Sequence, residues 1–219
     1  MSRLDGASGT GTGLRMVLPT GGTPRPVYRE LAARSPDLSH SDVFILDEFL
    51  GLPPGHPARC DTMIDQDLVG LLDRPPPVYA LDPDAADLDA EAARYEAMVG
   101  AEAVDLTMLG LGLNGHVALN EPGSTPDDPA RVVDLHPETM IAMDSEPVPD
   151  QGITLGLADI LASEEVWLLV SGTGKAKVLA LALEGPIGPD VPASFLRDHP
   201  NAVVFADVPA AVYLSSGRG

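Results

Sequence analysis

The sequence predicts an α/β fold: a doubly wound, mostly parallel sheet with helices on both faces. Three observations predict it. Short apolar runs recur along the 219 residues, segments with helical periodicity alternate with them, and Gly-rich turns follow several of the runs. The first run, 14–18 (LRMVL), passes through PTGGTP into a helix over 24–33, where Pro24 suits the first helical turn. The second, 43–46 (VFIL), ends at Asp47-Glu48-Phe49, and a helix follows at 61–72. Residues 78–81 (VYAL) precede a helix over 86–99, and 106–111 (LTMLGL) run into a Gly-studded turn. A helix is expected over 153–161. The run 166–170 (VWLLV) leads through SGTGK into a helix over 173–183, and 203–205 (VVF) form a further strand. Residues 1–13, rich in Gly, Ser and Thr, read as a flexible leader and 14–219 as a single domain, long enough to bury a substantial core.

Charge excludes several partners. With 33 acids against 13 bases, the net charge is −20. Nucleic acid and anionic membrane both need a cationic surface, so neither is expected as a partner. No apolar run reaches the roughly 20 residues of a membrane span, and a single cysteine, Cys60, rules out an internal disulfide framework and a Cys-based zinc site. A cytoplasmic protein is the expectation.

In an open α/β sheet, ligands bind beyond the carboxyl ends of the strands, and four such ends carry unusual sequence. After the first, Thr20, Gly21, Gly22 and Thr23 lead into a helix start, where exposed N–H groups make an anion site. An ordinary Gly-rich turn fits that stretch equally well. After the second, Asp47 and Glu48 point to opposite sides of an extended chain, so one carboxylate can face the crevice and act as a general base with a raised pKa. A solvated strand end in an acidic protein is the competing reading. The third end, 109–123, presents Asn114, His116 and Glu121 within eight positions. An imidazole beside a carboxylate is suited to moving protons near neutral pH. The fourth, Ser171-Gly172-Thr173-Gly174-Lys175, lacks the Walker spacing, so nucleotide hydrolysis is disfavoured. The chain's two lysines, Lys175 and Lys177, both fall here, and Lys175 at a helix start is placed to grip a phosphate.

Taken together, LPTGGTP at 18–24, LDEFLGLPPGHP at 46–57, LGLGLNGHVALNEPGS at 109–124, ITLGLADIL at 153–161, SGTGKAKVLALALEG at 171–185 and VPASFLRDHPNAVVFAD at 191–207 resemble the glucosamine-6-phosphate deaminase (isomerase) family. The sister 6-phosphogluconolactonases share its Rossmann-like fold but have an Asp-Glu-Arg strand end and a Gly-His-Thr-Ala segment. The resemblance implies conversion of glucosamine 6-phosphate and water to fructose 6-phosphate and ammonia, a hydrolase activity that needs no metal and no organic cofactor. It implies Asp47 as the base that moves a proton between C2 and C1, His116 as the group that assists ring opening, and Glu121 as its supporting acid. The phosphate would lie against Thr20–Thr23 and Lys175.

Several positions depart from the family pattern. Asn114 stands where Asp is frequent; its amide is expected to orient His116 without stabilising an imidazolium, leaving that task to Glu121. An arginine that grips phosphate in the family has no counterpart, since none lies between Arg131 and Arg197. That loses a contact worth ~1.5–3 kcal/mol, and Asp144 and Glu146 would repel a phosphate they faced. Arg59-Cys60-Asp61 replace a Ser-Tyr pair. A strand–helix unit that precedes the first strand in relatives is missing, so a bare edge or face covered by a second copy, in a homo-oligomer, is expected. Two alternatives stay open: a divergent isomerase or lactone hydrolase on a related sugar, and a non-catalytic sugar-phosphate sensor.

Overall fold

In a computed structural model, residues 13–143 and 145–215 are described, the side chain of Ala142 excepted. Apart from Gly13, the expected leader therefore lies outside the described residues, as does Asp144.

Six parallel strands form the main sheet: β1 (Arg15–Leu18), β2 (Asp42–Ile45), β4 (Val78–Tyr79), β5 (Leu106–Gly110), β8 (Val166–Val170) and β9 (Ala202–Ala206). Their order is β4-β2-β1-β5-β8-β9, so all six expected strands take part, and the order reverses between β1 and β5. Alternation along the strands feeds two cores. Met16, Leu18, Val43 and Ile45 pack with Tyr28 of α1 (Arg25–Ala33) and with Cys60 and Ile64 of α2 (Cys60–Asp67). Val17, Phe44, Leu109, Leu168 and Val170 pack on the opposite face with Tyr95 of α3 (Leu88–Val99) and Leu179 of α6 (Ala176–Glu184). Burial on both faces is why these strands read as continuous apolar runs.

A second sheet, not expected from the sequence, is antiparallel in the order β3-β7-β6. It comprises β3 (Asp47–Phe49), β6 (Arg131–Asp134) and β7 (Gln151–Thr154). The chain leaves the main sheet at Leu46 and enters the second at Asp47, which pairs with Thr154. The helix expected over 153–161 is corrected to β7 followed by a short helix α5 (Leu157–Leu161). The cause lies in two glycines. A Cβ at Gly152 would meet Leu119 Cδ1 at 2.3 Å, and one at Gly156 would meet the Asp128 carbonyl oxygen at 2.0 Å. Both therefore allow close approach of extended chain, and Gly156, at φ −78° and ψ 170°, ends the strand where Asp159 accepts from its N–H at 3.0 Å to start α5. One further short helix, α4 (Pro137–Ala142), falls in a stretch the sequence left unassigned.

Candidate active site

The loop after β1 is held from two sides. Gly21 takes φ +101°, a conformation that favours glycine, and the Tyr28 hydroxyl donates to the Pro19 carbonyl at 2.7 Å. Thr20–Thr23 thus precede the start of α1 and line the crevice. Thr23 Oγ1 lies 3.4 Å from Ser171 Oγ, which brings the loop against the end of β8. There Gly172, at φ +86°, donates its N–H to both carboxylate oxygens of Asp207 at 3.1 and 3.0 Å, and the chain turns into a 3₁₀ segment ending at Lys175. Burial pushes the Lys175 ammonium below its ordinary pKa.

The two carboxylates after β2 separate as expected. Glu48, 1% exposed, turns into the protein and accepts from the N–H groups of Phe49, Cys60 and Asp61 at 2.8, 2.9 and 3.1 Å. Burial raises its pKa and these three bonds oppose the rise. The carboxylate therefore anchors the start of α2 to β3. Asp47 faces the crevice. Burial first, and the neighbouring Glu48 charge second, raise its pKa to about 7, against a small lowering by the Cys60 thiol.

His116 belongs to a five-residue network. Its Nδ1 is 3.2 Å from Glu121 Oε2 and 3.3 Å from Thr139 Oγ1. Glu121 also accepts from Asn114 Nδ2 at 2.7 Å, the Thr139 hydroxyl at 2.6 Å and the His136 N–H at 3.3 Å. Burial works to raise the Glu121 pKa, but the hydrogen bond and charge of His116 and the donors Thr139 and Asn114 hold it down at about 2. Because the Thr139 hydroxyl is committed to Glu121, it accepts from Nδ1–H, as does Glu121. Nδ1 carries the proton, and Nε2 is left to exchange one with the crevice. Gly112 makes room for the ring, since a Cβ there would lie 2.4 Å from it.

One expectation needs correcting here. Asn114 does not hold the His116 ring: its Oδ1 accepts from the His116 backbone N–H at 3.2 Å, while its amide nitrogen fixes Glu121. Glu121, with Oε2 3.2 Å from Nδ1, is the anion beside the ring, the residue to which the sequence left the stabilising of an imidazolium.

A cavity of about 730 Å³ opens at the carboxyl ends of β1 and β5, where the strand order reverses. Thr20, Gly21, Gly22, Thr23, Asp47, Asn114, His116 and Lys175 all line it; Glu121 stands behind His116 instead. Thr139 also reaches the cavity and was missed, since α4 delivers it from a stretch with no strand-end signal. Glu138 and Glu146 line the cavity too, and Lys175 is the one Lys or Arg among the described lining residues.

Fold and site together define a doubly wound α/β protein equipped to move protons on a small anion. The chain belongs to the glucosamine-6-phosphate isomerase/6-phosphogluconolactonase family, whose model matches residues 2–205. It is 39% identical over 208 residues to a glucosamine-6-phosphate deaminase of Rhodopirellula baltica, covering 90% of this chain and 83% of that one. A solved structure of a monomeric glucosamine-6-phosphate deaminase superposes with a TM-score of 0.89 at 31% identity, covering 96% of this chain and 92% of the other. A 6-phosphogluconolactonase from Leishmania guyanensis, at 22% identity, TM-score 0.77 and coverage of 98% and 91%, shares the fold.

Proposed function

We propose that the protein converts glucosamine 6-phosphate and water to fructose 6-phosphate and ammonia, joining aldose–ketose isomerisation to deamination. The observation that carries this reading is the convergence of Asp47, His116, the Thr20–Thr23 loop and Lys175 on one cavity. His116, through Nε2, transfers the proton that opens the pyranose ring, and Glu121 offsets the charge it then bears. Asp47 takes the proton from C2 of the open-chain sugar and returns it to C1, leaving an imine at C2. Water hydrolyses that imine to the ketone and ammonia, the sense in which the reaction is hydrolytic. The loop amides and Lys175 hold the phosphate so that C1 and C2 stay beside Asp47.

Two outcomes follow from the electrostatics. Asp47 must be ionised to accept a proton, so kcat/KM is expected to fall about tenfold per unit as pH drops below about 7; a pH–rate profile of the free enzyme checks this. Lys175→Ala removes the one Lys or Arg among the described lining residues and is expected to raise KM about 10- to 100-fold with a smaller change in kcat, as steady-state kinetics would show. An unchanged KM would mean that the lysine does not hold phosphate.

A panel of amino sugars and sugar phosphates, assayed for ammonia and for ketose, tests the substrate. Glucosamine 6-phosphate should react best. Faster turnover of galactosamine 6-phosphate or of unphosphorylated amino sugars would move the assignment to another amino sugar, in keeping with Glu138 and Glu146 at the cavity. Lactone hydrolysis without ammonia release would replace it, and binding without turnover would make the protein a sensor. Among the described residues no helix is long and apolar enough to cross a membrane. A homo-oligomer remains our expectation from the partly exposed Val203 and Phe205 on the edge strand β9, and sedimentation equilibrium tests it.

A further inference from the structure

The Asp47 carboxylate accepts a single hydrogen bond among the described residues, and its donor is a thiol. Cys60, the first residue of α2, is wholly buried, with Sγ 3.6 Å from Asp47 Oδ1 and 3.4 Å from Thr20 Oγ1. Glu48 grips the Cys60 N–H at 2.9 Å, so the thiol is fixed relative to the strand that carries Asp47. We propose that Cys60 is a positioning residue that sets the strength of the Asp47 base, its thiol donating to Oδ1 while the Thr20 hydroxyl donates to Sγ. The proposal rests on the reading of Asp47 as the base.

A thiol is a weak donor. It orients the carboxylate while doing little to stabilise its charge, so Asp47 keeps enough basicity to remove a proton from carbon. Burial first, and then the Asp47 and Glu48 charges, push the Cys60 thiol well above its ordinary pKa, so it stays protonated and remains a donor. The same contact joins the phosphate loop to the base through Thr20. Other ionisable groups face Asp47 from several elements. Glu48 adjoins it on β3, while Tyr28 from α1 and Tyr95 from α3 are both raised by burial and hold their protons. His56, His116, Glu138, Glu146 and Lys175 share the cavity. Substitution at Cys60 changes none of these groups; it alters the bond to Asp47 and the contact with Thr20.

The test compares Cys60→Ser and Cys60→Ala with the parent. A hydroxyl donates more strongly than a thiol, so serine should shift the acid limb of kcat/KM down by about 0.5–1 unit, and alanine, which donates nothing, should shift it up by a smaller amount. A ¹³C NMR titration of the Asp47 carboxyl, identified as the signal lost in Asp47→Asn, should show the same opposite shifts. Unmoved values, or shifts of the same sign in both variants, would overturn the proposal. If the serine variant fails to fold, alanine alone decides: an upward shift supports the proposal and no shift refutes it. The NMR readout separates the two ideas. Opposite shifts in a protein without turnover would uphold the Cys60 contact and reject the base assignment, whereas turnover with fixed values would do the reverse.

Discussion

Asp47→Asn is expected to lower turnover of glucosamine 6-phosphate by about 10³-fold or more while leaving substrate binding largely intact. The amide keeps the size of the carboxylate but cannot accept a proton from carbon. The same substitution should stabilise the fold at neutral and alkaline pH. Asp47 is only 8% exposed, and burial raises its folded-state pKa to about 7 from an ordinary 3.8. The folded state therefore binds the proton more tightly than the unfolded state does, and stability falls as pH rises from about 4 to about 7. On the order of 4 kcal/mol is lost across that window, and asparagine removes the loss. Denaturant unfolding of both proteins at pH 4 and pH 8 should find them similar at the lower pH and the variant more stable at the higher. A variant with full activity would take Asp47 out of the mechanism.

Glu121→Gln is the second substitution expected to act strongly, through a different route. Glu121 gathers His116 Nδ1, Asn114 Nδ2, the Thr139 hydroxyl and the His136 N–H. A glutamine supplies one acceptor oxygen and places an N–H group against donors. His116 then loses both its tautomer lock and its counter-charge, and kcat should fall about 10²-fold or more. The stability sign is opposite to that of Asp47. The folded pKa of Glu121, held at about 2, lies below its ordinary 4.5, so the carboxylate contributes stability that is present above about 4.5 and lost as pH falls through about 2. On the order of 2–3 kcal/mol should disappear in the variant at neutral pH, with less difference in strong acid. Thermal melts across that range check the sign.

These two carboxylates also show what the sequence made legible. Asp47 was readable because β2 is a run buried on both faces, and the residue after such a run sits at the crevice. The six parallel strands were readable for the same reason. The second sheet was not: β3, β6 and β7 are three or four residues long, and β7 is continuous with an apolar stretch whose spacing also suits a helix. The close tertiary contacts at Gly152, with the Leu119 side chain, and at Gly156, with the Asp128 backbone, decide between the two. Glu121 was readable as an acid near His116, but not as one placed behind it. Thr139 and Cys60 carried no signal at all, because their contacts join segments 18 and 13 positions apart through the tertiary fold. The Gly-rich loops announced the anion end, yet their meaning depended on Thr23 meeting Ser171 across 148 positions.

The central claim is that this cavity moves a proton from C2 to C1 of an amino-sugar phosphate and releases its nitrogen. The most direct measurement follows glucosamine 6-phosphate carrying deuterium at C2, with ammonia quantified and the fructose 6-phosphate product examined by NMR. The account predicts ammonia and ketose in a one-to-one ratio, loss of deuterium from C2, and appearance of part of it at C1, with Asp47→Asn giving neither product. Ammonia released without ketose, or full activity in Asp47→Asn, would contradict it.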